Sequence, residues 1–180
     1  MNITNNLVWI DLEMTGLNPD QDVILEIACI VTDGQLAIIK EGPSLIIHQP
    51  EEKLKQMNTW SQEQHALSQL TQEVRNSTIS VIQAEEQVLD FLQNYCERGA
   101  ALLAGNSVWQ DRIFLYRYMP RIIDFLYYRL IDVTTIKELV ARWYPDNTQK
   151  EFIKKDTHRA LSDIYESIEE LKHYKKYFFI

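Results

Sequence analysis

The stretch LVWIDLEMTGL at positions 7–17 is an apolar run that carries two acids one residue apart. In a β-strand, side chains alternate between faces. Leu7, Trp9, Asp11 and Glu13 therefore share one face, and Val8, Ile10, Leu12 and Met14 the other. Asp11 and Glu13 become neighbours in space at the end of the strand, just before the Thr15-Gly16 turn. Open α/β sheets place their sites at such strand ends. Two carboxylates held beside apolar surface repel each other, and desolvating either costs several kcal/mol unless a partner is supplied. No Lys or Arg occurs before Lys40, so the local sequence supplies no counter-charge. For an arbitrary D-x-E an exposed edge strand is the simpler explanation. Here the flanking residues are apolar on both faces, which brings hard divalent cations, whose preferred ligands are clustered carboxylate oxygens, level with it.

Working outward, the runs at 7–13, 23–32, 36–41 and 44–48 are rich in Val, Ile and Leu. They are separated by turn signals at GLNPDQD, Asp33-Gly34 and Gly42-Pro43. So short a link as Asp33-Gly34-Gln35 predicts a hairpin, and the chain opens as an antiparallel meander. From about residue 60 the periodicity changes. Ser61 with Gln64, and Ser80 with Gln83, fit the capping box that starts a helix. Val81, Ile82, Glu85, Val88, Leu89, Leu92 and Cys96 form the stripe of an amphipathic helix ending near Gly99. AALLAG at 100–105 reads as a short buried strand, and NSVWQDRIFLYRYM as a helix stopped by Pro120. RLIDV at 129–133 reads as a fifth strand, followed by the helix TTIKELVARW, which ends at Pro145. After the polar loop DNTQKEFIKKD, a last helix over 159–176 carries Leu161, Ile164, Ile168 and Leu171 on one stripe. The expected fold is α/β, a mixed five-stranded sheet, its first three strands an antiparallel meander, flanked by helices.

At 180 residues, with 46% hydrophobic and 24% charged residues, the chain matches a single globular domain over 1–180 that builds its core without disulfides or structural metal. Cys29 and Cys96 lie in apolar runs and read as small buried hydrophobes. The start, MNITNNLVW, has no basic segment followed by a long apolar one, and no stretch approaches the roughly 20 apolar residues of a membrane span. A cytoplasmic protein without a membrane partner is expected. The formal charge of -8 weighs against gripping long nucleic acid through many phosphates, because that affinity comes from clustered Lys and Arg. A short polyanion remains compatible, since cations held by a carboxylate cluster reverse the local sign.

Three further residues stand out. Asp111 lies in GNSVWQD, after a buried strand and near a helix start, where an acid is also favoured by the helix dipole. Asp163 sits early in the last helix among the residues of its buried stripe. His158 precedes it by five positions in DTHRALSD, a place where a capping or surface histidine is common.

The order D-x-E in a first strand, Asp after a central strand, then H-x4-D on the last helix resembles the DEDDh family of 3′ to 5′ exonucleases, which has a ribonuclease H-like fold. The blocks WIDLEMTGL, GNSVWQDRIFLYRYMP, YYRLIDVTTIKELVARW and THRALSDIYESIEEL extend the resemblance over nearly the whole chain, towards the branch that degrades very short RNA. The resemblance implies that Asp11, Glu13, Asp111 and Asp163 bind two divalent cations, Mg2+ or Mn2+, and that His158 is the general base. Metal ions would supply the positive charge missing near Asp11, and an ordinary histidine, titrating at about 6.5, can take a proton at neutral pH. It further implies that Leu17 and Trp60 stack the terminal bases and that His65 lies on the substrate side. Ser107 would cap the 5′-phosphate, with Tyr128, Arg129 and Thr134 reaching across from the second subunit of a homodimer. The implied substrate is single-stranded RNA of di- to about pentanucleotide length. Without the resemblance, Leu17 and Trp60 would be read as core residues and Tyr128 as packing. An exonuclease of longer strands and a non-catalytic nucleotide-binding module are the rival readings.

Overall fold

The computed structural model describes residues 5–154 and 158–179. The N-terminal positions 1–4, residues 155–157 of the loop before His158, and residue 180 lie outside the described residues. Five strands form one sheet in the order β3-β2-β1-β4-β5. They are β1 (Leu7–Met14), β2 (Ile24–Thr32), β3 (Ile38–Ile46), β4 (Leu102–Gly105) and β5 (Tyr127–Asp132). The first three pair antiparallel, while β4 runs parallel to β1 and β5 parallel to β4. The expected mixed sheet with its opening meander is present.

Helices cover both faces. Val8, Ile10 and Leu12 point into a core completed by α4 (Val81–Tyr95), α5 (Trp109–Tyr118) and α6 (Pro120–Phe125). Trp9, Ala28 and Ile30 point the other way, against α7 (Val133–Trp143) and α8 (Ala160–Phe178). Every position of β2 is buried, as expected of a strand covered on both sides. Each fully buried Ile or Leu of this sandwich contributes roughly 2 kcal/mol by leaving water. Leu25 belongs to a third, smaller cluster with Leu54, Met57, Leu70 and Val74, on or beside the short helices α1 (Glu51–Lys55), α2 (Thr59–Leu67) and α3 (Leu70–Asn76). Among the described residues no helix is long and apolar enough to cross a membrane.

Several local expectations change. Gly42-Pro43 is no turn but lies inside β3, and the register passes from Ala28↔Ser44 to Ile30↔Glu41. Gly42 and Pro43 thus bulge opposite Cys29, which is tolerated because β3 is an edge strand where a missing N–H costs no ladder bond. A Cβ at Gly42 would come within 2.5 Å of both Cys29 Sγ and Phe91, so only glycine fits the bulge. Ser61 does not start a helix; its backbone N–H donates to Asn58 Oδ1 at 2.9 Å, and Asn58 caps α2 three residues earlier. Ser80 and Gln83 do form the reciprocal capping box. Pro120 ends α5 and also starts α6, occupying a first-turn position where its missing N–H has no partner to lose. His158 precedes α8 rather than lying within it, with φ +50, in the left-handed region.

Candidate active site

The alternation of β1 carries Asp11 and Glu13 past the Trp9 layer to the end of the strand, on the face that α8 covers. Asp163, in the first turn of α8, meets them there. Ligand atoms of these three carboxylates lie within 4.8 Å of one another. Asp111 completes the group from the other side of the strand. Its Oδ1 accepts a hydrogen bond from the Leu12 backbone N–H at 3.0 Å, between the two acids of β1, and it is buried in the first turn of α5. Four acids separated by up to 152 positions in sequence therefore converge on one strand end.

Their electrostatics reflect the crowding. Burial first, then the charges of Asp111, Glu13, Asp163 and Glu26, push the Asp11 carboxyl well above the usual range. Burial and the same kind of neighbours raise Glu13 to about 8, with Arg159 pulling the other way. Asp111 rises to about 7, chiefly through burial, although the hydrogen bond from Leu12 lowers it. Such carboxyls mark a site with an excess of negative charge, which a hard divalent cation with oxygen ligands would balance.

The nearby cation is Arg159, which the D-x-E reading had no means of finding. It follows His158 directly. Its Nε lies 3.1 Å from Oε2 of Glu26, a carboxylate only 1% exposed that stands opposite Glu13 in the β1–β2 register. A second nitrogen reaches Glu73 of α3 at 3.0 Å. Arg159 thus ties the start of α8 to β2 and α3, and its charge is largely spent on Glu26 and Glu73. His158 itself presents its ring edge-to-face with Trp60, centroids 5.5 Å apart.

His65, buried in α2, has Nε2 2.9 Å from the Met14 carbonyl, which fixes Nε2 as the protonated nitrogen and leaves Nδ1 facing Glu13 at 3.9 Å. Nδ1 is buried and without a hydrogen-bond partner among the described residues. Burial lowers the His65 pKa, so the ring is neutral and offers an acceptor towards the acid cluster.

Leu17 and Trp60, core candidates on composition alone, are 71% and 59% exposed. Leu17 sits on the turn beyond β1, and Gln110 of α5 donates to its carbonyl at 2.8 Å, fixing the turn against the helix that bears Asp111. Ser107, in the left-handed region at φ +49, directs its backbone N–H to Asp132 Oδ1 and Thr134 Oγ1, both at 2.9 Å. The Ser107 and Thr134 hydroxyls are 3.1 Å apart. Thr134 therefore adjoins Ser107 of its own chain, where the resemblance placed it across a subunit boundary. Tyr128 and Arg129 lie on the exposed edge strand β5, with Arg129 Nε donating to the Tyr128 hydroxyl at 3.0 Å.

A family model described as "Exonuclease" matches residues 8–171. The oligoribonuclease of Dichelobacter nodosus is 53% identical over 180 residues, 100% of this chain and 98% of that protein. The oligoribonuclease of Pseudomonas aeruginosa is 54% identical over 173 residues, 96% of each. Among solved structures, exonuclease I of Methylocaldum szegediense shares the fold at a TM-score of 0.71 and 16% identity, over 96% of this chain and 41% of that one. An E. coli exonuclease I complex with a 5cy-dT13 oligonucleotide gives 0.72 and 16%, over 97% of this chain and 41% of that one. The chain thus spans about two fifths of exonuclease I, with which it shares a ribonuclease H-like fold, but almost all of an oligoribonuclease. With its acids gathered at one strand end and these matches along nearly its whole length, the chain belongs to the exonuclease family, alongside the oligoribonucleases, and is a hydrolase of phosphodiester bonds.

Proposed function

We propose that this chain is a cytoplasmic 3′ to 5′ exoribonuclease that finishes very short RNA, dinucleotides above all, as 5′-mononucleotides, with one catalytic domain in each subunit of a homodimer. The observation that carries the reading is a carboxylate cluster with ligand atoms within 4.8 Å, together with two large exposed apolar side chains, Leu17 on the turn that follows the acids of β1 and Trp60 against the His158 ring. Exposed apolar side chains of this kind suit a base better than they suit water. The relatives of nearly equal length named oligoribonuclease support the same substrate class.

The donor set fits the implied cofactor. Asp11, Glu13, Asp111 and Asp163 offer only oxygen, the ligand that Mg2+ and Mn2+ take, and would hold two such ions. When bound, the cations supply the positive charge that eases deprotonation of a water and offsets charge on the leaving oxygen. The chain's own residues do the rest. Leu17 and Trp60 hold the 3′-terminal bases by stacking, with His65 on the substrate side. His158, beside Trp60, takes the proton of the attacking water as the new oxygen–phosphorus bond forms; the bond to the 3′-oxygen breaks, and that oxygen gains a proton. Ser107 and Thr134 hold the 5′-phosphate, and Tyr128 and Arg129 close over it from the second subunit.

The test uses 5′-labelled di- and heptaribonucleotides, with Mn2+ and with EDTA. The dinucleotide is cleaved faster, and the chelator stops both reactions. Equal rates at the two lengths would remove the short-substrate specificity, and undiminished turnover in EDTA would remove the cations.

A further inference from the structure

Behind the Ser107–Thr134 pair runs a polar chain, half-buried at Asn106 and buried at Ser167 and Glu170, to which the chemistry above gives no role. Asn106, the residue after β4, is its hub. Its carboxamide oxygen accepts from Thr134 Oγ1 at 3.1 Å, and its Nδ2 donates to Ser167 Oγ at 2.8 Å and to Glu170 Oε2 at 2.9 Å. Ser167 passes its own proton to the backbone carbonyl of Asp163 at 2.8 Å. Glu170, fully buried on α8, also takes the Tyr174 hydroxyl at 3.1 Å and Lys154 Nζ at 2.9 Å.

The donor inventory makes the chain directional. A hydroxyl has one proton. That of Thr134 is committed to Asn106, and the contact between the Ser107 and Thr134 oxygens therefore uses the proton of Ser107. An anion at this pair is acceptor-only, so it must draw on one of these two protons. Taking the Thr134 proton removes the hydrogen bond that holds the half-buried Asn106 oxygen, and the amide is then free to shift against Ser167 and Glu170. One side chain thus connects the pair, the turn that bears Asp163, and the buried Glu170 with its partner Lys154.

We propose that Asn106 and Glu170 are positioning residues, a strut that couples occupation of the Ser107–Thr134 pair by a 5′-phosphate to the seating of Asp163. The inference rests on the phosphate-end reading of that pair. It gives the preference for the shortest RNA a kinetic origin, because only a substrate whose 5′-phosphate reaches the pair while its 3′ end is in the site engages the strut.

The experiment compares kcat and KM for a 5′-phosphorylated and a 5′-hydroxyl RNA dinucleotide. In the unaltered protein the phosphate raises kcat by about tenfold. In Asn106→Ala, Glu170→Gln and Lys154→Met the kcat ratio of the two substrates falls towards one. Lys154→Met combined with Glu170→Gln removes both charges of the pair, so it leaves no buried carboxylate without its partner and remains informative if the single variants fail to fold. Tyr174→Phe, which removes one hydrogen bond to Glu170 but leaves Asn106 and Lys154 in place, lowers Tm and keeps the ratio. Strut variants that raise KM yet keep the full kcat ratio would reduce the network to scaffolding and overturn the inference alone. A ratio of one in the unaltered protein would instead remove the phosphate-end reading itself, and the strut with it.

Discussion

Glu13 shows how one position on a strand acquires a chemical role. Burial and three neighbouring carboxylates lift it to about 8, so the folded chain binds more protons than the unfolded chain between its ordinary 4.5 and 8. By linkage, stability falls as pH rises wherever the folded state binds the extra proton. In EDTA, Tm therefore declines from pH 5 to pH 8 as Glu13 and Asp111 ionise against their neighbours. Mn2+ competes with those protons for the carboxylate oxygens, so its stabilisation grows with pH; a metal-induced shift that is flat over this window would contradict the carboxylate site. Asp11→Asn keeps the side-chain volume and removes one charge from the cluster. It is expected to abolish turnover while raising the Tm of the metal-free protein, and a fully active Asp11→Asn variant would exclude Asp11 from the chemistry. At this scale the sequence was informative where the information is local. Alternation alone brings Asp11 beside Glu13. Glu26 and Arg159 were illegible because their contact spans 133 positions and neither has a distinctive neighbour pattern. The exposure of Leu17 and Trp60 escaped composition for the opposite reason, since apolar residues are expected inside.

Among the elements, those with a periodic stripe or an explicit cap were readable. The helix opened by Ser80 starts where its capping box predicts but ends at Tyr95, short of Gly99, and the last helix came out within one or two residues on its 3.6-residue stripe alone. Elements decided by sheet pairing were not. Gly42-Pro43 has the chemistry of a turn, and only the register against Cys29 turns it into a bulge. The same distinction governs the start of α8. Among the described residues its N-cap position, Arg159, makes no side-chain cap bond, and the helix start is held through the guanidinium's pairs with Glu26 and Glu73. Arg159→Met would leave the Glu26 carboxylate buried without its partner. Removing one member of a buried pair costs on the order of 3 kcal/mol, against about 1 kcal/mol for a lost cap bond such as that in Ser80→Ala. Urea unfolding of the two variants checks this ranking. If Arg159→Met were no worse than Ser80→Ala, the start of α8 would be secured by its packing and not by the pair.

At the scale of the molecule, the sheet leaves β5 as an edge, and that edge carries Tyr128, 61% exposed, with the Arg129 guanidinium 5.4 Å from its ring centre. An aromatic and an arginine stacked on an exposed strand suit a partner surface, since these residue types are enriched where proteins meet. In the proposed dimer, Tyr128 of each subunit completes the other's site, so the acids of one chain and the tyrosine of the other form a functional unit. That arrangement predicts complementation between two defective proteins. Asp11→Asn lacks a competent acid cluster but presents an intact Tyr128; Tyr128→Ala keeps its acids but lacks the closing ring. Each alone turns over a dinucleotide poorly. Mixed and allowed to exchange subunits, they form mixed dimers in which one of the two sites has all its parts, and activity rises above the sum of the separate preparations. The rise develops on the timescale of subunit exchange and disappears on dilution below the dimer's dissociation constant. Light scattering on the same samples separates the alternatives. A dimer that gives no recovery keeps the assembly but places Tyr128 in its own subunit's site, whereas a monomer with full dinucleotide activity removes the shared site altogether.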